Sequence, residues 1–487
     1  MAERDERIKH LEALRALGLQ PYGQRFDGAH PIGRVAESFG PATEGRDFTV
    51  AGRISALRGF GKAAFLDLRD ATGKIQAHLR KEVFGDEKWK AFHHVGIGDI
   101  LGVTGALGKT KTGEVTLFAS DFTLLCKALR PLPEKWHGLK DPEVRYRRRY
   151  LDLIANPKVR DTFVKRSRAI TLLRAFLDNR GYLEVETPMM HAIPGGAAAR
   201  PFKTHHNALD ADLFMRIALE IPLKKLMVGG LEKVYEIGRV FRNEGVDTNH
   251  NPEFTLLELY HAYGDLRTIM ELVESLVAHL AKEIAGGARL LYGERQLSVE
   301  TPWPRRDYLE LLKEHAGVDG TSDDALRVKL HEKKVTTDGL SHVDLVDKVF
   351  GEYVEPHLQS AVFVTGHPIE MSPLCKEDPK HPGQADRFEA YLAGFEIANA
   401  YSELNDPLEQ RRRLESQAGG GADEMSRAGR VDEDFLRALE TGMPPAGGLG
   451  IGIDRLVMIL TNQPSIREVI LFPLLRETGA APSEDDA

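Results

Sequence analysis

The sequence predicts an α+β protein in which a small five-stranded β-barrel precedes a larger domain of helices around antiparallel strands. Three observations support this fold class. Short runs of alternating apolar and polar residues occupy the chain from about residue 48 to 118, two prolines then interrupt the pattern near residue 131, and long amphipathic helices alternate with strands after that point. The length of 487 residues is sufficient for two or three domains with sizeable cores.

The composition excludes several classes of protein. The chain is 42% hydrophobic and 28% charged, which is typical of a globular protein, and its mean hydropathy of −0.31 argues against a membrane-embedded one. The N-terminal residues contain no apolar core for a signal peptide, and no uncharged apolar run reaches the roughly 18 residues of a membrane span. Cys126 and Cys375 lie outside any CxxC or Cys/His cluster, which argues against a disulfide framework or structural zinc. We therefore expect a cytoplasmic protein with no membrane partner.

The strands of the first domain present a polar face that carries an aromatic residue. Strands are predicted at 48–54, 64–70, 75–80, 100–107 and 115–118. Leu66 and Leu68 share one face of the second strand, which places Phe65 on the other. Gln76 of the next strand is predicted on the same surface. Five strands in this order suit a Greek-key barrel, a class that binds oligonucleotides by stacking bases on aromatic rings. Packing of Phe65 under a loop is the alternative.

A proline-containing stretch and a basic run separate the two domains. The formal net charge of −8 gives no sign of a nucleic-acid partner, but residues 145–150 form a local basic run interleaved with tyrosines. Because the prolines at 131 and 133 are typical of a linker, the domain boundary is predicted there. The expected segments are a helical extension at 1–44, the barrel at 45–128, a linker at 129–150, the second domain at 151–477 and a disordered tail at 478–487.

The second domain contains two strands whose ends converge on one cleft. A strand beginning at 234 leads to Arg242 and Glu244, and a turn rich in Asn and His separates it from a strand at 254–260. Antiparallel pairing of these strands would surround one cleft with polar and aromatic side chains, namely Arg242, Glu244, His250, Phe254, Glu258 and Tyr260. A glycine-rich strand at 447–453 allows close approach of a ligand, and Arg455 after it could reach a phosphate.

Three stretches resemble the signature motifs of the class II aminoacyl-tRNA synthetases. They are a helix and strand at 162–188, the Phe241-Arg242-Asn243-Glu244 loop and the glycine-rich strand before Arg455. The connecting segments are similar to those of the lysyl-tRNA synthetases within that class, at 129–133, 147–153, 193–202, 204–210, 249–254 and 401–407. The resemblance implies an OB-fold barrel that binds the anticodon, and a class II catalytic domain built on an antiparallel sheet flanked by helices.

The same resemblance implies a reaction in two steps. L-lysine is activated with ATP to lysyl-adenylate and is then transferred to the 3′ end of tRNA(Lys), with AMP and diphosphate as products. This chemistry needs positioning and charge neutralisation rather than a covalent nucleophile. Arg242 and Arg455 are implied as catalytic residues, the first at the α-phosphate and the second at the γ-phosphate. The implied ATP site comprises Arg242, Asn243, Glu244, His250, Asn251, Phe254, Glu396, Ile397, Gly452, Ile453, Asp454 and Arg455. Glu389 and Glu396 are implied as Mg2+ ligands.

An acidic pocket for lysine is also implied. It comprises Gly196, Glu220, Glu258, Tyr260, Asn399 and Glu403, of which Glu258, Tyr260 and Glu403 would bind the side-chain ammonium. The chain departs from the usual family form at two places: Ala400-Tyr401 replaces Gly-Phe, and Leu219-Glu220-Ile221-Pro222 replaces Pro-Glu-Leu-Tyr. Because the acidic positions are kept, these departures concern the shape of the pocket rather than its charge. The alternative for Glu258 and Tyr260 is a solvated strand face.

The resemblance also implies partners. Arg53, Phe65, Gln76 and Glu114 would read the anticodon, and the 162–188 segment would pack across a two-fold axis in a homodimer. Three alternatives stay open: an aspartyl or asparaginyl enzyme of the same class, a protein-lysylating paralogue, and a non-catalytic RNA-binding relative. The acidic pocket favours a cationic substrate, and the barrel argues against the protein-lysylating paralogue.

Overall fold

A computed structural model describes residues 2–132, 139, 141–197, 199–420 and 431–476. The chain divides into two compact units whose boundary falls between residues 140 and 141, inside the predicted linker. The predicted tail at 478–487 and residues 133–138 of the linker lie outside the described residues. The remaining domain limits stay predictions.

The first unit is built around a closed five-stranded barrel. Its strands are β1 (Asp47–Phe60), β2 (Ala63–Arg69), β3 (Lys74–Arg80), β4 (Ile100–Lys109) and β5 (Val115–Cys126), and its helices are α1 (Ala2–Ala16), α2 (Ile32–Glu37) and α3 (Lys81–Phe92). The strands follow the order β1-β2-β3-β5-β4, with β3 and β5 parallel and the other pairs antiparallel. The predicted five-stranded barrel is therefore confirmed.

Alternation along the strands separates the core of the barrel from its surface. Leu66 and Leu68 are buried in the barrel, as predicted, while Phe65, which precedes Leu66, is half-buried on the outer face. On β3 the pattern is less regular, because Gln76 is also buried. The expectation that Gln76 lies on an open polar face is therefore wrong; its side chain is buried, and its carboxamide oxygen accepts a hydrogen bond from Thr116 of β5.

The second unit contains an eight-stranded sheet. Its helices are α4 (Pro142–Arg147), α5 (Arg149–Ala155), α6 (Pro157–Asp178), α7 (Glu220–Val228), α8 (Leu266–Leu280), α9 (Tyr308–Ala316), α10 (Asp323–Glu332), α11 (His342–Tyr353), α12 (Pro407–Gly420), α13 (Glu433–Gly442), α14 (Ile453–Leu460) and α15 (Ile466–Val469). The strands are β6 (Leu183–Glu184), β7 (Met190–His191), β8 (Lys203–His206), β9 (Ala211–Met215), β10 (Lys233–Phe241), β11 (Glu253–Ala262), β12 (Arg289–Tyr292), β13 (Arg295–Ser298), β14 (Arg305–Asp307), β15 (Val362–Thr365), β16 (Arg387–Leu392), β17 (Phe395–Ser402) and β18 (Ala446–Gly452).

The large sheet has the order β14-β15-β16-β17-β18-β11-β10-β6 and is antiparallel except at its two edge pairs. One face carries apolar residues such as Leu257 of β11 and Ile451 of β18, which pack with α8 and α14 in the main core. Because successive side chains of a strand point to opposite faces, Glu258, which follows Leu257, lies on the other face. The sheet thus separates an apolar core from a polar cleft. Among the described residues, no helix has the length and apolarity needed to cross a bilayer.

Candidate active site

The floor of the cleft is formed by three adjacent strands. Glu258 of β11 pairs with Gly450 of β18, which pairs in turn with Asn399 of β17. The neighbouring row contains Tyr260 and Gly448. A Cβ at Gly448 would clash with Glu403 Oε1 and lie 2.8 Å from Tyr260 Cε1, so this strand needs glycine where the polar side chains converge.

Three carboxylates surround the inner end of the cleft: Glu220, Glu258 and Glu403. All three are buried. Glu258 Oε1 accepts a hydrogen bond from the Leu219 N–H at 3.0 Å, whereas Glu258 Oε2 and Glu403 Oε1 have no hydrogen-bond partner within the described residues. Unpaired buried carboxylate oxygens are costly, so this is a pocket that favours a cationic ligand.

Burial and mutual repulsion control the ionisation of the pocket. Burial, followed by the nearby Glu220, raises the pKa of Glu258 to about 8. Burial also raises the pKa of Glu403 to about 8, with Glu220 adding to the shift and Lys224 opposing it. Tyr260 and Tyr401 have pKa values well above the usual value, chiefly because of burial, and stay neutral donors. A bound ammonium would stabilise the ionised carboxylates and lower their pKa values.

The two departures from the usual family sequence both act on pocket carboxylates. Leu219 donates its backbone N–H to Glu258, which the proline of the usual form could not do. The Tyr401 hydroxyl donates to Glu220 Oε2 at 2.9 Å, which a phenylalanine could not do. Gly196, with φ of +87°, packs against the first residue of α7, Glu220. A Cβ on Gly196 would lie 3.0 Å from Glu220 Cβ. These donors orient the carboxylates without removing their charge.

Arg242 lies immediately after β10, beside the aromatic ring of Phe254. Its guanidinium carbon is 5.2 Å from the centre of that ring, and Nε donates to the Ile217 carbonyl at 3.4 Å. Burial lowers the pKa of Arg242, and the charges of Glu244, Glu396 and Glu258 oppose the shift. The guanidinium keeps its charge, because an arginine pKa remains far above neutrality. Arg242 therefore presents a positive charge near both Glu258 of the acidic pocket and Glu396 at the start of β17.

The turn after Arg242 meets Arg455 of α14. His250 Nδ1 lies 2.9 Å from Asp247 Oδ2, and His250 Nε2 lies 3.1 Å from Arg455 Nη2. Asn243 and Glu244 are exposed beside it. Asn251 is different: it is buried, and its amide donates to the Glu253 carbonyl at 2.6 Å. The structure thus places Asn251 as a support of the turn.

Several predicted ATP-site side chains face the core instead of the cleft. Ile397, Ile453 and Asp454 are buried. Asp454 Oδ2 accepts from the Thr255 N–H at 2.6 Å, and Asp454 Oδ1 lies 2.6 Å from Arg166 Nη1. These contacts fix the start of α14 against β11 and α6. These three residues can therefore contact ATP only through their main-chain atoms. The same holds for Gly452, which has no side chain.

The carboxylates predicted to hold Mg2+ lie on β16 and β17. Glu389 bonds to Arg387 and accepts from the Tyr391 hydroxyl at 2.7 Å, and the charge of Arg387 holds its pKa below the usual range. Burial, followed by repulsion from Glu389, raises the pKa of Glu396 to about 7. Burial and the charge of Glu389 thus oppose the ionisation of Glu396, a cost that a bound cation would offset, and carboxylate oxygens are the ligands that Mg2+ prefers. These residues fit a divalent cation.

The barrel carries a second candidate site, for nucleic acid. Phe65 stacks on His78 with ring centres 4.3 Å apart and planes at 6°. Gln76 Oε1 accepts from the Thr116 hydroxyl at 2.9 Å, which leaves the amide hydrogens for a base. Glu114 is exposed just before β5. Arg53 lies opposite Arg69 in the register of β1 and β2, and its guanidinium donates to the Gly98 carbonyl at 2.7 Å.

Comparisons with known proteins agree with this geometry. Residues 141–476 match the profile described as tRNA synthetases class II (D, K and N), and residues 48–125 match the OB-fold nucleic acid binding domain. The lysine–tRNA ligase of Moorella thermoacetica is 52% identical over 96% of this chain and 97% of its own length. That of Bacillus subtilis is 50% identical over 96% of both chains. The chain belongs to the lysine–tRNA ligase family of class II tRNA synthetases.

In this lysine–tRNA ligase family member, the sequence patterns predicted most residues of the cleft. They did not predict the buried cation Lys224. Lys224 on α7 is completely buried and lies 2.5 Å from both Glu220 Oε1 and Glu403 Oε2. A lysine four residues after Glu220 was the available signal, because residues four apart share a helix face and the helix is apolar apart from Glu220, Lys224 and Lys225. Arg387 and Tyr401 were also missed as contacts of predicted carboxylates. Glu389 follows Arg387 by two residues on the same face of β16, which was an available signal, whereas Tyr401 bonds to Glu220 of α7, a residue distant in the chain.

Proposed function

We propose that this chain activates L-lysine with ATP to lysyl-adenylate and transfers the lysyl group to the 3′ end of tRNA(Lys). The observation that carries the proposal is the buried pocket with unpaired oxygens on Glu258 and Glu403. Lysine has two ammonium groups, and each needs a carboxylate when it loses its hydration. Aspartate would bring a side-chain carboxylate into an acidic pocket, and asparagine would bring no charge to it.

In the first step a carboxylate oxygen of lysine attacks the α-phosphorus of ATP, the bond from that phosphorus to the bridging oxygen breaks, and pyrophosphate leaves. Arg242 is proposed to neutralise the lysine carboxylate and the charge that develops on the α-phosphate. The ring of Phe254 offers a surface for adenine, and Arg455 would hold the terminal phosphate. In the second step a hydroxyl at the 3′ end of the tRNA attacks the lysyl carbonyl and AMP leaves.

Mg2+ is proposed as the cofactor, with Glu389 and Glu396 as its protein ligands. When bound, it would neutralise the phosphates and make pyrophosphate a better leaving group. Magnesium commonly uses one or two carboxylates together with substrate phosphates, so two side chains are sufficient. Within the described residues, no group of three or more His, Cys, Asp or Glu side chains is arranged to hold a metal ion.

Amino-acid-dependent exchange of pyrophosphate into ATP tests the proposed function. Lysine, aspartate and asparagine are assayed in parallel with the same protein preparation. We expect exchange with lysine alone, because the pocket is complementary to a dication. Exchange that is faster with aspartate or asparagine, or absent with all three, would contradict the proposal.

The proposed active form is a homodimer. The 162–188 segment exposes apolar side chains, among them Val164 and Leu183, and Met189 and Met190 follow it. Leu183 belongs to β6, which lies at an edge of the large sheet. Exposed apolar residues beside an open strand edge are typical of an interface between subunits.

Light scattering is expected to give a mass of about twice the 54.2 kDa chain at micromolar concentration. Leu183→Asp should shift the mass toward that of one chain, because a charge would be buried in the interface. Val328→Asp is the control, since Val328 is equally exposed but lies on α10. A wild-type mass of one chain would disprove the dimer.

The barrel is proposed to bind the anticodon through Phe65, with Gln76 and Glu114 beside it. Phe65→Ala should weaken tRNA binding by about 1 to 3 kcal/mol, because an unpaired base loses its stacking surface. Lysine-dependent pyrophosphate exchange should stay unchanged, since the barrel takes no part in activation. Val83→Ala, an exposed apolar position on α3, is the control for both assays. If Phe65→Ala also abolished exchange, Phe65 would instead be required for folding.

A further inference from the structure

Lys224 is a buried cation to which the reaction assigns no role. It projects from α7, and no part of it is exposed to solvent. Its Nζ lies 5.6 Å from the ring centre of Tyr401 and 6.0 Å from that of Phe435, so its position is enclosed by aromatic rings. An ammonium that loses its hydration in this way must be held by opposite charge. That charge comes from two of the three pocket carboxylates, Glu220 and Glu403.

The oxygens that Lys224 contacts are not the ones left open. Lys224 bonds to Glu220 Oε1 and lies 2.5 Å from Glu403 Oε2, while Tyr401 donates to Glu220 Oε2. Glu403 Oε1 and Glu258 Oε2 have no hydrogen-bond partner among the described residues. The internal ammonium and a bound ligand can therefore use different oxygens of the same cluster.

The charges of the pocket also balance when Lys224 is included. When lysine is bound and the three carboxylates are ionised, they and the Lys224 ammonium sum to −2, which matches the two ammonium groups of lysine, whose own carboxylate is proposed to face Arg242. Without the Lys224 ammonium, three carboxylates would share one buried space, and repulsion would oppose the ionisation of all three more strongly. A protonated carboxyl group would attract a substrate ammonium much less strongly.

We infer that Lys224 is a permanent counter-ion, a positioning residue that favours the ionised form of Glu403 and holds Glu220 and Glu403 in place for the recognition of lysine. The inference rests on the proposed function, because lysine is taken as the substrate. The competing arrangement has Lys224 occupying the substrate's ammonium site and leaving when lysine binds. That arrangement requires Lys224 to move, and the aromatic rings and Glu220, four residues earlier on the same helix, hold it in place.

Other ionisable groups also face Glu403. They are Glu220 of α7, Glu258 and Tyr260 of β11, Tyr401 of β17 and Cys375 before β16. The tyrosines and the cysteine have pKa values raised by burial and stay neutral near pH 7. Lys224 is therefore the cation whose loss should raise the pKa of Glu403 further, beyond about 8.

The test is the pH dependence of the KM for lysine in pyrophosphate exchange, for the full chain and three variants. In the wild type, carboxyl groups with pKa values of about 8 must lose protons when lysine binds, so KM should fall as the pH rises toward 8. Lys224→Met should raise KM at pH 7 by roughly 10-fold or more and move the fall in KM to higher pH, because losing a nearby opposite charge shifts a pKa by 1 to 3 units. The value of kcat at saturating lysine should change much less.

Two further variants complete the test. Lys224→Arg keeps the charge, so KM should fall over the same pH range as in the wild type, even if the larger side chain raises KM at every pH. If Lys224→Met does not fold, the pH profile of Lys224→Arg tests the inference. Lys225→Met is the matched control, because Lys225 projects toward solvent and pairs with Asp434. An unchanged KM and pH profile in Lys224→Met, a lowered KM in that variant, or a displaced profile in Lys224→Arg would each overturn the inference. If the wild type shows no lysine-dependent exchange, the proposed function fails instead.

Discussion

Replacing Glu403 by glutamine is expected to raise the KM for lysine by roughly 100-fold, the largest effect on substrate affinity in this chain. The substitution keeps the shape of the side chain and removes its charge. A substrate ammonium would then be buried without its carboxylate, and breaking a buried charge pair costs about 2 to 5 kcal/mol. The KM for ATP should stay the same, because ATP is proposed to use Phe254 and Arg455.

Steady-state pyrophosphate exchange, with lysine and ATP varied in turn, measures both constants. Glu283→Gln is a suitable control, because Glu283 is an exposed carboxylate of the same unit. Thermal melting of each variant shows whether the fold is kept. If Glu403→Gln had the wild-type KM for lysine, the pocket would be wrongly assigned, and lysine itself would be in question as the substrate.

Arg242→Ala should have the largest effect on the rate of adenylate formation. A preorganised donor at a developing charge contributes about 10²- to 10³-fold to kcat, and Arg242 brings a full positive charge to the α-phosphate. The KM for lysine should change much less, since the ammonium groups keep their carboxylates. Single-turnover formation of lysyl-adenylate measures this step directly.

Arg239→Ala is the control for Arg242→Ala. Arg239 lies three residues earlier, on β10, and its partly exposed guanidinium is 3.7 Å from the exposed Glu253. If Arg242→Ala raised the KM for lysine as much as it lowered kcat/KM, with kcat unchanged, Arg242 would contribute to ground-state binding and not to the chemical step.

The sequence predicted the main features of the site because they depend on local patterns. Alternation along β2 placed Leu66 inside and Phe65 outside, and both positions are confirmed. The apolar strand before Arg242 and the glycines before Arg455 indicated where the cleft would form. Such patterns identify which side of an element is apolar, since periods of 2 and 3.6 residues follow from backbone geometry.

Gln76 and Asp454 show where local patterns were insufficient. Alternation predicted Gln76 on an open polar face, but the side chain is buried, and Thr116 of the parallel neighbour β5 bonds to its carboxamide oxygen. Asp454 stands beside Arg455 in sequence, yet it turns inward to the Thr255 N–H and to Arg166. In both cases a residue distant in the chain decided the environment of the side chain.

By itself, the sequence determined the barrel, the antiparallel strands, the family and the acidic character of the pocket. Only the tertiary structure decided how the charges of that pocket are paired. Lys224 and Glu403 are far apart in sequence and meet because α7 packs over the end of β17. Burial then raises the cost of every unpaired charge, so the partner of each carboxylate, and with it the pKa, depends on which elements enclose the cleft.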